Sequence, residues 1–351
     1  MRVLTVNAGS SSLKLRLLGP NDEVERSTDA EPGVDLEEVL RAWPAPEAVG
    51  HRVVHGGTRF TEPIVIDTGV RKELEDLTAL APLHQPKSLA GLDAVTAQLP
   101  EVPAVACFDT AFHTTIPQAA ATYAVPGEWR ERYAIRRYGF HGLSHAWCSA
   151  RVARFTGARR IVTAHLGAGA SLAAVLDGRS VDTTMGFTPL EGLVMATRSG
   201  SVDPGLVLWL EEHEGLSPRE VAETLEKRSG LAALAGKADM REVLAAAGRG
   251  DAGAVLALDV YVHRLAAGIA SMAAAAGGIE ALAFTGGVGE HTPEIRARAA
   301  ERLAFLGLAV DPARNDTNEG EITAAGAAVR TLVVPAREDL EIARGTRAAL
   351  R

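Results

Sequence analysis

The N-terminal stretch Arg2-Val-Leu-Thr-Val-Asn-Ala-Gly-Ser-Ser-Ser-Leu-Lys-Leu15 decides the fold. Its apolar run from Val3 to Val6 lacks helical spacing, which predicts a buried strand. From Leu13 to Leu17, leucines alternate with basic residues, which predicts a second strand. The polar residues Asn7 to Ser12 connect the two strands, so the unit is predicted to be a hairpin with a polar tip.

The residues of this tip suit a ligand that carries negatively charged oxygens. Gly9 allows a close approach to the backbone, Ser10 and Ser12 supply hydroxyls, and Lys14 supplies a positive charge. Together they suit a phosphate group. The same residue types are also common in ordinary hairpin turns. On this stretch alone, the two interpretations are equally supported.

A partial repeat favours the phosphate interpretation. The stretch Arg160–Leu176 again has an apolar strand, a glycine-rich turn, a serine and an apolar alternation, and Val3–Gly9 aligns with Ile161–Gly167. Two copies of one unit predict a duplicated α/β domain with a ligand between the halves. This plan resembles the actin, hexokinase and heat-shock ATPase superfamily, in which each half presents a phosphate-binding hairpin.

Length and composition narrow the class of protein. A chain of 351 residues predicts two domains. The net charge of -8 argues against a nucleic-acid-binding surface and gives no reason to expect a membrane surface. The two cysteines, Cys107 and Cys148, indicate neither a disulfide framework nor a thiolate metal site. With no signal-peptide pattern ahead of the first strand, we expect a cytoplasmic protein.

Local patterns predict further elements. The acidic stretch Asn21–Pro46 is predicted to be a surface connection with one short helix, and Ser88 is predicted to cap a helix that runs to Gln98. The Val181–Gly192 stretch suggests a loop, and Gly286–Gly289 a turn. The apolar stretch Leu265–Ile279 is shorter than the roughly 20 residues that a membrane span needs, so we expect a buried helix.

Three polar positions stand out in apolar surroundings. Arg52 lies inside an apolar strand, where it needs a carboxylate partner or a cleft. Asp109 follows a buried strand directly, as a site carboxylate or as a helix N-cap. His141 and His145 are four residues apart, but the glycines between and around them argue against a metal-binding helix.

Taken together, these motifs resemble one family from end to end, the acetate/propionate kinases. They occur in the order seen in that family: Asn7–Lys14, Gly50–Gly57, Phe108–His113, Tyr138–His145, Asp182–Gly192, Thr197–Gly200, Thr285–Glu290 and Ile342–Arg344. The resemblance implies reversible, Mg²⁺-dependent phosphoryl transfer between ATP and acetate by direct in-line transfer, giving acetyl phosphate and ADP. It also implies a homodimer.

The same resemblance implies an α/β fold of two domains, duplicated and actin/hexokinase-like (ribonuclease H-like), with the active site in the interdomain cleft. Domain I is expected to comprise residues 1–112 and 338–351, and domain II residues 113–337. The fold would close over the ligands and exclude water, which would otherwise hydrolyse the phosphoryl group.

Roles of individual residues follow from the matching motifs. Arg52 and Arg198 would hold the carboxylate and the transferring phosphoryl group. Asp109 would orient these groups, His141 would donate to the phosphoryl oxygens and His84 would support them. Asn7 and Glu338 would position the metal, partly through water.

Two larger sets of residues are implied for binding. The apolar pocket for the acyl methyl group would comprise Val54, Leu83, Phe140 and Pro189, with Arg52 beside it. The nucleotide would be bound by Lys14, Ser10, Ser12, His165, Gly167, Gly169, Asp239, Arg241, Gly286, Gly287, Gly289 and His291.

The chain departs from the family pattern mainly on the donor side. Ala168 and His291 stand where the family usually has asparagine, and the chain looks shorter than usual between Leu18 and Gly50. Arg337 also replaces an asparagine. We expect Arg337 either to pair with Glu338 and weaken metal binding, or to contact phosphate.

Three alternatives to an ATP-dependent acetate kinase remain open. The first is a propionate kinase, and the second is an acyl kinase that uses another donor, such as pyrophosphate. The third is a non-catalytic sensor of acyl phosphate or nucleotide. Because Arg52, Arg198 and His141 are all present, the sensor is the least favoured.

Overall fold

The computed structural model describes residues 1–8, 13–30, 36–81, 85–317 and 319–351. Ser10, Ser12, Leu83 and His84 lie outside the described residues. The chain divides into two compact units. Unit 1 comprises Met1–Thr114, Phe140–Trp147 and Arg337–Arg351, and unit 2 comprises Thr115–Gly139 and Cys148–Ala336. The domain bounds expected from the sequence stay a prediction.

The strands are β1 Val3–Ala8, β2 Leu13–Leu18, β3 Val24–Ala30, β4 Ala48–Val53, β5 Ile64–Val65, β6 Ala104–Phe108, β7 Arg160–Leu166, β8 Ala170–Leu176, β9 Arg179–Thr183, β10 Ala281–Thr285, β11 Gly320–Glu321 and β12 Arg330–Val333.

The α-helices are α1 Leu36–Arg41, α2 Thr68–Asp76, α3 Gln85–Gln98, α4 Gln118–Ala121, α5 Gly127–Arg132, α6 Gly142–Thr156, α7 Pro204–Glu212, α8 Pro218–Lys227, α9 Gly230–Ala235, α10 Met240–Gly248, α11 Ala252–Ala275, α12 Gly286–His291, α13 Pro293–Arg302, α14 Pro312–Asn315 and α15 Glu338–Ala349. Short 3-10 helices span Leu77–Leu80, Ala111–Thr115 and Ala304–Leu306.

Each unit contains a sheet, and the two sheets have the same strand order. The unit 1 sheet runs β3-β2-β1-β4-β6-β5, and the unit 2 sheet runs β9-β8-β7-β10-β12-β11. In both, a meander of three antiparallel strands is followed by two parallel strands and a short antiparallel edge strand. The partial sequence repeat therefore corresponds to a repeated topology.

The unit 1 sheet is covered on both faces. Successive side chains of each strand point to opposite sides of the sheet, so each face carries its own apolar cluster. On one face, Leu4, Val6 and Val49 pack with Val95 of α3. On the other face, the last helix supplies the cover. There, one cluster joins Val3 and Leu18 to Leu340 and Ala343, and another joins Val105 and Cys107 to Ile342.

Helix α11 forms much of the core of unit 2. Its buried side chains follow the helical spacing of one face, from Ala254 to Ala273, and it contacts α9, α10, α13, β7 and β8. Among the described residues it is the one helix long and apolar enough to cross a membrane, and 44% of the relevant window is buried. Residues 265–275 of the stretch that was expected to be a buried helix lie in α11, which ends at Ala275.

Four local expectations differ from the structure in whole or in part. Val24–Ala30 forms a strand rather than a surface connection, and it pairs with β2. Ser88 does not cap α3, because the helix already begins at Gln85. Val181–Thr183 lies in β9, so the loop expected over Val181–Gly192 begins only at Thr184. The glycines from Gly286 onward form the short helix α12 instead of a turn.

Candidate active site

Three polar side chains lie at the carboxyl ends of neighbouring parallel strands in unit 1. Asn7 lies near the end of β1, Arg52 near the end of β4, and Asp109 directly after β6. Because β1, β4 and β6 are parallel, these residues meet at one edge of the sheet. In open α/β sheets this edge is where ligands bind.

Arg52 links these residues into one hydrogen-bonded network. Its Nε donates to Asp109 Oδ1 at 3.0 Å, and its Nη2 donates to Asp109 Oδ2 at 2.5 Å. Its Nη1 donates to Asn7 Oδ1 at 3.0 Å. The Asp109 side chain is only 1% exposed and that of Arg52 is 16% exposed. Of the two environments expected for Arg52, a carboxylate partner or a cleft, the structure shows the carboxylate partner.

The charges of this pair depend on each other. Burial acts against the cation of Arg52, but the carboxylates of Asp109 and Glu338 outweigh it and raise the pKa of Arg52 above its ordinary value. Burial raises the pKa of Asp109, and the Arg52 guanidinium opposes that rise. The bidentate geometry is typical of strong arginine–carboxylate pairs.

The first residue of the last helix completes the network. Asn7 Nδ2 donates to Glu338 Oε2 at 2.7 Å, and Arg52 Nη1 lies 4.0 Å from the same oxygen. Amide and carboxylate oxygens are hard ligands that suit Mg²⁺, which commonly takes one or two carboxylates and keeps several waters. Within the described residues, no cluster of three or more His, Cys, Asp or Glu side chains could hold a metal. One amide and one carboxylate would leave the remaining positions around a Mg²⁺ ion to water and phosphate oxygens.

His141 is brought to Asp109 through its backbone. The His141 N–H donates to the Asp109 carboxylate, and the Gly142 N–H donates to the Asp109 carbonyl at 2.9 Å. His141 has a φ of 55°, in the left-handed region that non-glycine residues rarely adopt. A β-carbon on Gly142 would lie 2.1 Å from the Asp109 carbonyl oxygen, so this position requires glycine. Strained backbone of this kind is concentrated at functional sites.

Two buried histidines hold the residue before His141. The Nε2 of His113 donates to the Phe140 carbonyl at 3.0 Å, and the ring of His55 packs edge-on against the Phe140 ring. The Gly57 N–H donates to His55 Nδ1 at 2.8 Å. Phe140 and Val54, both expected to line an acyl pocket, are buried in this unit.

Three buried histidines make the stability of the protein depend on pH. Burial lowers the pKa of His51, His55 and His113 to about 4, from an ordinary 6.5. Between pH 6.5 and 4 the unfolded chain binds protons that the folded chain does not. We therefore expect stability to be constant above pH 6.5 and to fall below it, by up to about 4 kcal/mol per pH unit.

Urea unfolding between pH 8 and 5 measures this dependence. His51→Leu removes one of the three buried imidazoles, so the slope below pH 6.5 is expected to fall by roughly a third. His213→Gln, at an exposed position, is the matched control. An unchanged slope in His51→Leu would show that His51 is not a source of the dependence.

In unit 2, the second hairpin and α12 converge. The turn between β7 and β8 is closed by the Gly167 N–H, which donates to the Gly169 carbonyl at 2.9 Å. Gly286 begins α12 with a φ of 77°, and a β-carbon there would lie 2.7 Å from the carbonyl oxygen of Leu166. His165 pairs in register with Ser171 on β8 and with Thr285 on β10. Glycine at position 286 thus lets α12 approach the end of β7.

A pocket of about 420 Å³ opens at this point. Five of the predicted nucleotide-binding residues line it: Gly167, Asp239, Arg241, Gly287 and His291. Lining residues that the sequence did not single out for binding are Ala196, Leu231, Ala238, Met240, Tyr261, Val288 and Thr292, and Ala168 is also present. Most of these are apolar, so the pocket has apolar walls and a few polar groups, as ligand pockets commonly do.

Asp239 and Arg241 form a pair at the start of α10. The Asp239 carboxylate accepts from the Arg241 N–H at 2.8 Å and from its Nε at 3.0 Å. These hydrogen bonds lower the pKa of Asp239 to about 2. Asp239 is thus the N-cap of α10, and it holds the exposed guanidinium beside the pocket.

Arg198 is held within unit 2 by a loop carbonyl. Its Nη1 donates to the carbonyl of Pro189 at 3.0 Å, so these two predicted residues are in contact. Burial lowers the pKa of Arg198, and Glu226 opposes this.

Two further residues, Lys14 and Arg337, were considered in the sequence for the phosphoryl-donor side of the site. Lys14 is exposed on β2, opposite Asn7 in the register. Arg337 does not pair with Glu338 as one expectation had it. Its Nε donates to Asp339 Oδ1 at 2.9 Å and its Nη2 to Asp339 Oδ2 at 2.8 Å. The guanidinium of Arg337 is therefore paired with an acid two residues later.

Arg296 is a buried cation that the sequence analysis missed. Its side chain is fully buried on α13, and it donates to the carbonyls of Gly289 and Glu290 in α12 at 2.9 and 2.7 Å. It also donates to Asn315 Oδ1 at 2.9 Å and to the carbonyl of Thr317 at 3.0 Å. Arg296 therefore fixes the end of the helix that borders the pocket.

Comparisons with known proteins point in one direction. A model of the Acetokinase family matches residues 34–344. The chain is 46% identical to an acetate kinase of Deinococcus deserti, in an alignment that covers 100% of this chain and 98% of that protein. The structure of a propionate kinase from Francisella tularensis has a TM-score of 0.91 at 35% identity, with 99% of each chain covered. An acetate kinase from Porphyromonas gingivalis has a TM-score of 0.90 at 35% identity, with both chains fully covered. The predicted duplicated, actin/hexokinase-like fold is confirmed.

Proposed function

Because the chain belongs to the Acetokinase family, we propose that it catalyses reversible phosphoryl transfer between ATP and acetate, giving ADP and acetyl phosphate. The family makes it a carboxylate kinase, and the named relatives favour acetate as the acceptor. The observation that carries the proposal is the network of Asn7, Arg52, Asp109 and Glu338 at the strand ends of unit 1.

This network suits a carboxylate acceptor. A carboxylate is already ionised at neutral pH, so it attacks phosphorus without a strong general base, and positioning and charge stabilisation supply most of the catalysis. Arg52 is fixed by Asp109 and offers a planar fork of donors that matches the acceptor and phosphoryl oxygens. Asp109 acts through Arg52 and His141, and is a positioning residue.

In addition to Arg52, two residues have proposed catalytic roles, His141 and Arg198. The imidazole of His141 donates to the phosphoryl oxygens, and its strained backbone fixes its direction. The guanidinium of Arg198 stabilises the charge on the transferring group, and Pro189 supports Arg198 through a carbonyl. His84 and Leu83, which lie outside the described residues, keep the supporting and pocket roles that the family resemblance implies.

Asn7 and Glu338 would hold Mg²⁺, largely through water. When bound, the cation neutralises charge on the phosphate oxygens. The chain's own contribution there is the hydrogen bond from Asn7 to Glu338, which keeps the carboxylate at the end of β1.

A nucleotide is favoured over pyrophosphate as the donor. The pocket of about 420 Å³ has mostly apolar walls, which suit a base and a ribose better than a pyrophosphate that is charged throughout. Asp239, Arg241, Gly167, Gly287 and His291 provide its polar groups. Ala168 supplies no hydrogen-bonding side chain, and one missing neutral hydrogen bond costs about 1 kcal/mol, which leaves binding possible.

Propionate is the second candidate acceptor, because a propionate kinase is among the similar solved structures. One methylene group in an apolar pocket changes specificity by only about 1–3 kcal/mol.

The proposal extends to the compartment and the oligomeric state of the enzyme. A cytoplasmic homodimer fits the family resemblance and the large apolar side chains exposed on unit 2, among them Leu208 and Trp209 on α7 and Leu256 on α11. Exposed apolar surface of this kind is typical of subunit interfaces. A molar mass in solution equal to one chain would contradict the homodimer.

The direct test is acyl phosphate formation trapped as the hydroxamate. The purified protein receives acetate or propionate, Mg²⁺, and either ATP or pyrophosphate, with Arg198→Ala as the control. ATP-dependent product that the control loses is expected. Product formed only with pyrophosphate would show that pyrophosphate, and not ATP, is the phosphoryl donor. If no pair of acceptor and donor gives product but the ligands bind measurably, the protein is a non-catalytic sensor and not an enzyme.

A further inference from the structure

Tyr261 combines burial with an unsatisfied hydroxyl. It lies on α11, is 3% exposed and lines the pocket of unit 2. Among the residues that the structure describes, no group forms a hydrogen bond with its hydroxyl. The other buried side chains of α11 are aliphatic or methionine. The Tyr261 hydroxyl is therefore a single polar atom in an apolar helix face.

An unpaired phenol is unfavourable in this position. Buried tyrosine hydroxyls usually find a hydrogen-bond partner, and a buried donor without one retains the cost of its lost hydration. Phenylalanine would fill the same space without that cost. The packing of α11 therefore explains the ring of Tyr261 but not its hydroxyl, and the side chain forms part of the wall of a ligand-sized pocket.

We propose that the Tyr261 hydroxyl donates a hydrogen bond to a ring nitrogen of the nucleobase bound in this pocket, and that it contributes to recognition of the base. The inference rests on the proposed nucleotide donor. The surroundings of the Tyr261 side chain favour a base over a phosphate, because Leu231, Met240 and Val288 line the same pocket and offer apolar contact but no charge. A planar heterocycle can pack against the apolar walls and give the Tyr261 hydroxyl an acceptor.

The test compares wild type with Tyr261→Phe in three measurements: affinity for Mg·ATP, affinity for Mg·tripolyphosphate, which has no base, and the melting temperature without ligand. We expect the Kd for ATP to rise about fivefold, since one neutral hydrogen bond is lost. The Kd for tripolyphosphate should not change. The melting temperature should stay the same or rise.

Tyr138→Phe is the matched control. Its hydroxyl donates to the carbonyl of Ala134 at 2.8 Å, so it already has a partner within the protein. This variant should melt at a lower temperature and bind ATP as the wild type does. Base recognition by Tyr261 predicts the opposite for Tyr261→Phe, namely weaker ATP binding without a lower melting temperature. A structural role for Tyr261 predicts the same pattern as Tyr138→Phe.

Three results would overturn the proposal. Equal ATP affinity in wild type and Tyr261→Phe would exclude the contact with the base. A parallel loss of ATP and tripolyphosphate affinity would place the effect on the phosphates or on the fold. A wild-type protein that binds tripolyphosphate but not ATP would overturn the nucleotide donor itself, and the Tyr261 proposal with it.

Discussion

Arg52→Ala is expected to lower kcat/KM for acetate by about 100- to 1000-fold, the usual effect of removing a group that stabilises transition-state charge. It is also expected to lower the free energy of unfolding by about 3–5 kcal/mol, because the Asp109 carboxylate would stay buried without its cation. Asn7 Oδ1 would lose a donor as well. The hydroxamate assay and urea unfolding measure the two effects.

Arg71→Ala is the matched control for this prediction. Arg71 also forms a bidentate pair, with Asp93 at 2.8 and 2.7 Å, but the side chains are 27% and 52% exposed. Exposed pairs contribute at most about 1 kcal/mol, so this variant should keep its activity and nearly all its stability. Equal losses of stability in the two variants would show that burial does not set the strength of the Arg52 pair.

Arg296→Met is expected to lower the free energy of unfolding by about 3–5 kcal/mol, since several buried oxygens lose their donor together. The cation is compensated by carbonyl and amide oxygens of Gly289, Glu290, Asn315 and Thr317. Burial lowers its pKa to about 10, which still leaves it charged at neutral pH. Because α12 lines the pocket, the KM for ATP should rise more than the KM for acetate.

Arg298→Met is the matched control for Arg296→Met, because it removes an arginine charge that is partly exposed instead of buried. Arg298 is two residues further along α13, and its exposed pairs are with Asp259 and Glu294. Thermal unfolding and ATP kinetics should be close to wild type for this variant. If Arg296→Met unfolds at the same temperature as Arg298→Met, the carbonyl cage around Arg296 does not stabilise the fold.

Much of the fold could be predicted because the chain repeats itself. The two hairpins around Asn7 and Gly167 share a pattern, and both sheets then follow the same strand order. The strand β3 escaped prediction because its burial is weak. Val24 is exposed and only Ala30 is buried, so the alternation that marks a half-buried strand is missing.

The polar groups at strand ends could be found from sequence for a physical reason. Arg52 and Asp109 interrupt or follow apolar runs, and such residues need partners. Arg296 carries a similar signal, since it shares the buried stripe of α13 with Ile295 and Ala299. The partner of Arg337 was open, because a side chain at a helix start can reach either of two neighbouring acids.

The pairing of Asn7 with Glu338 joins the first strand to a helix 331 residues later. During synthesis, the first sheet therefore leaves the ribosome long before α15 can cover one of its faces. Unit 2, by contrast, consists of Thr115–Gly139 and Cys148–Ala336, all of which is made earlier. Assembly of the Asn7–Arg52–Asp109–Glu338 network is thus a late event, and an incomplete nascent chain contains the pocket of unit 2 before it contains a complete network in unit 1.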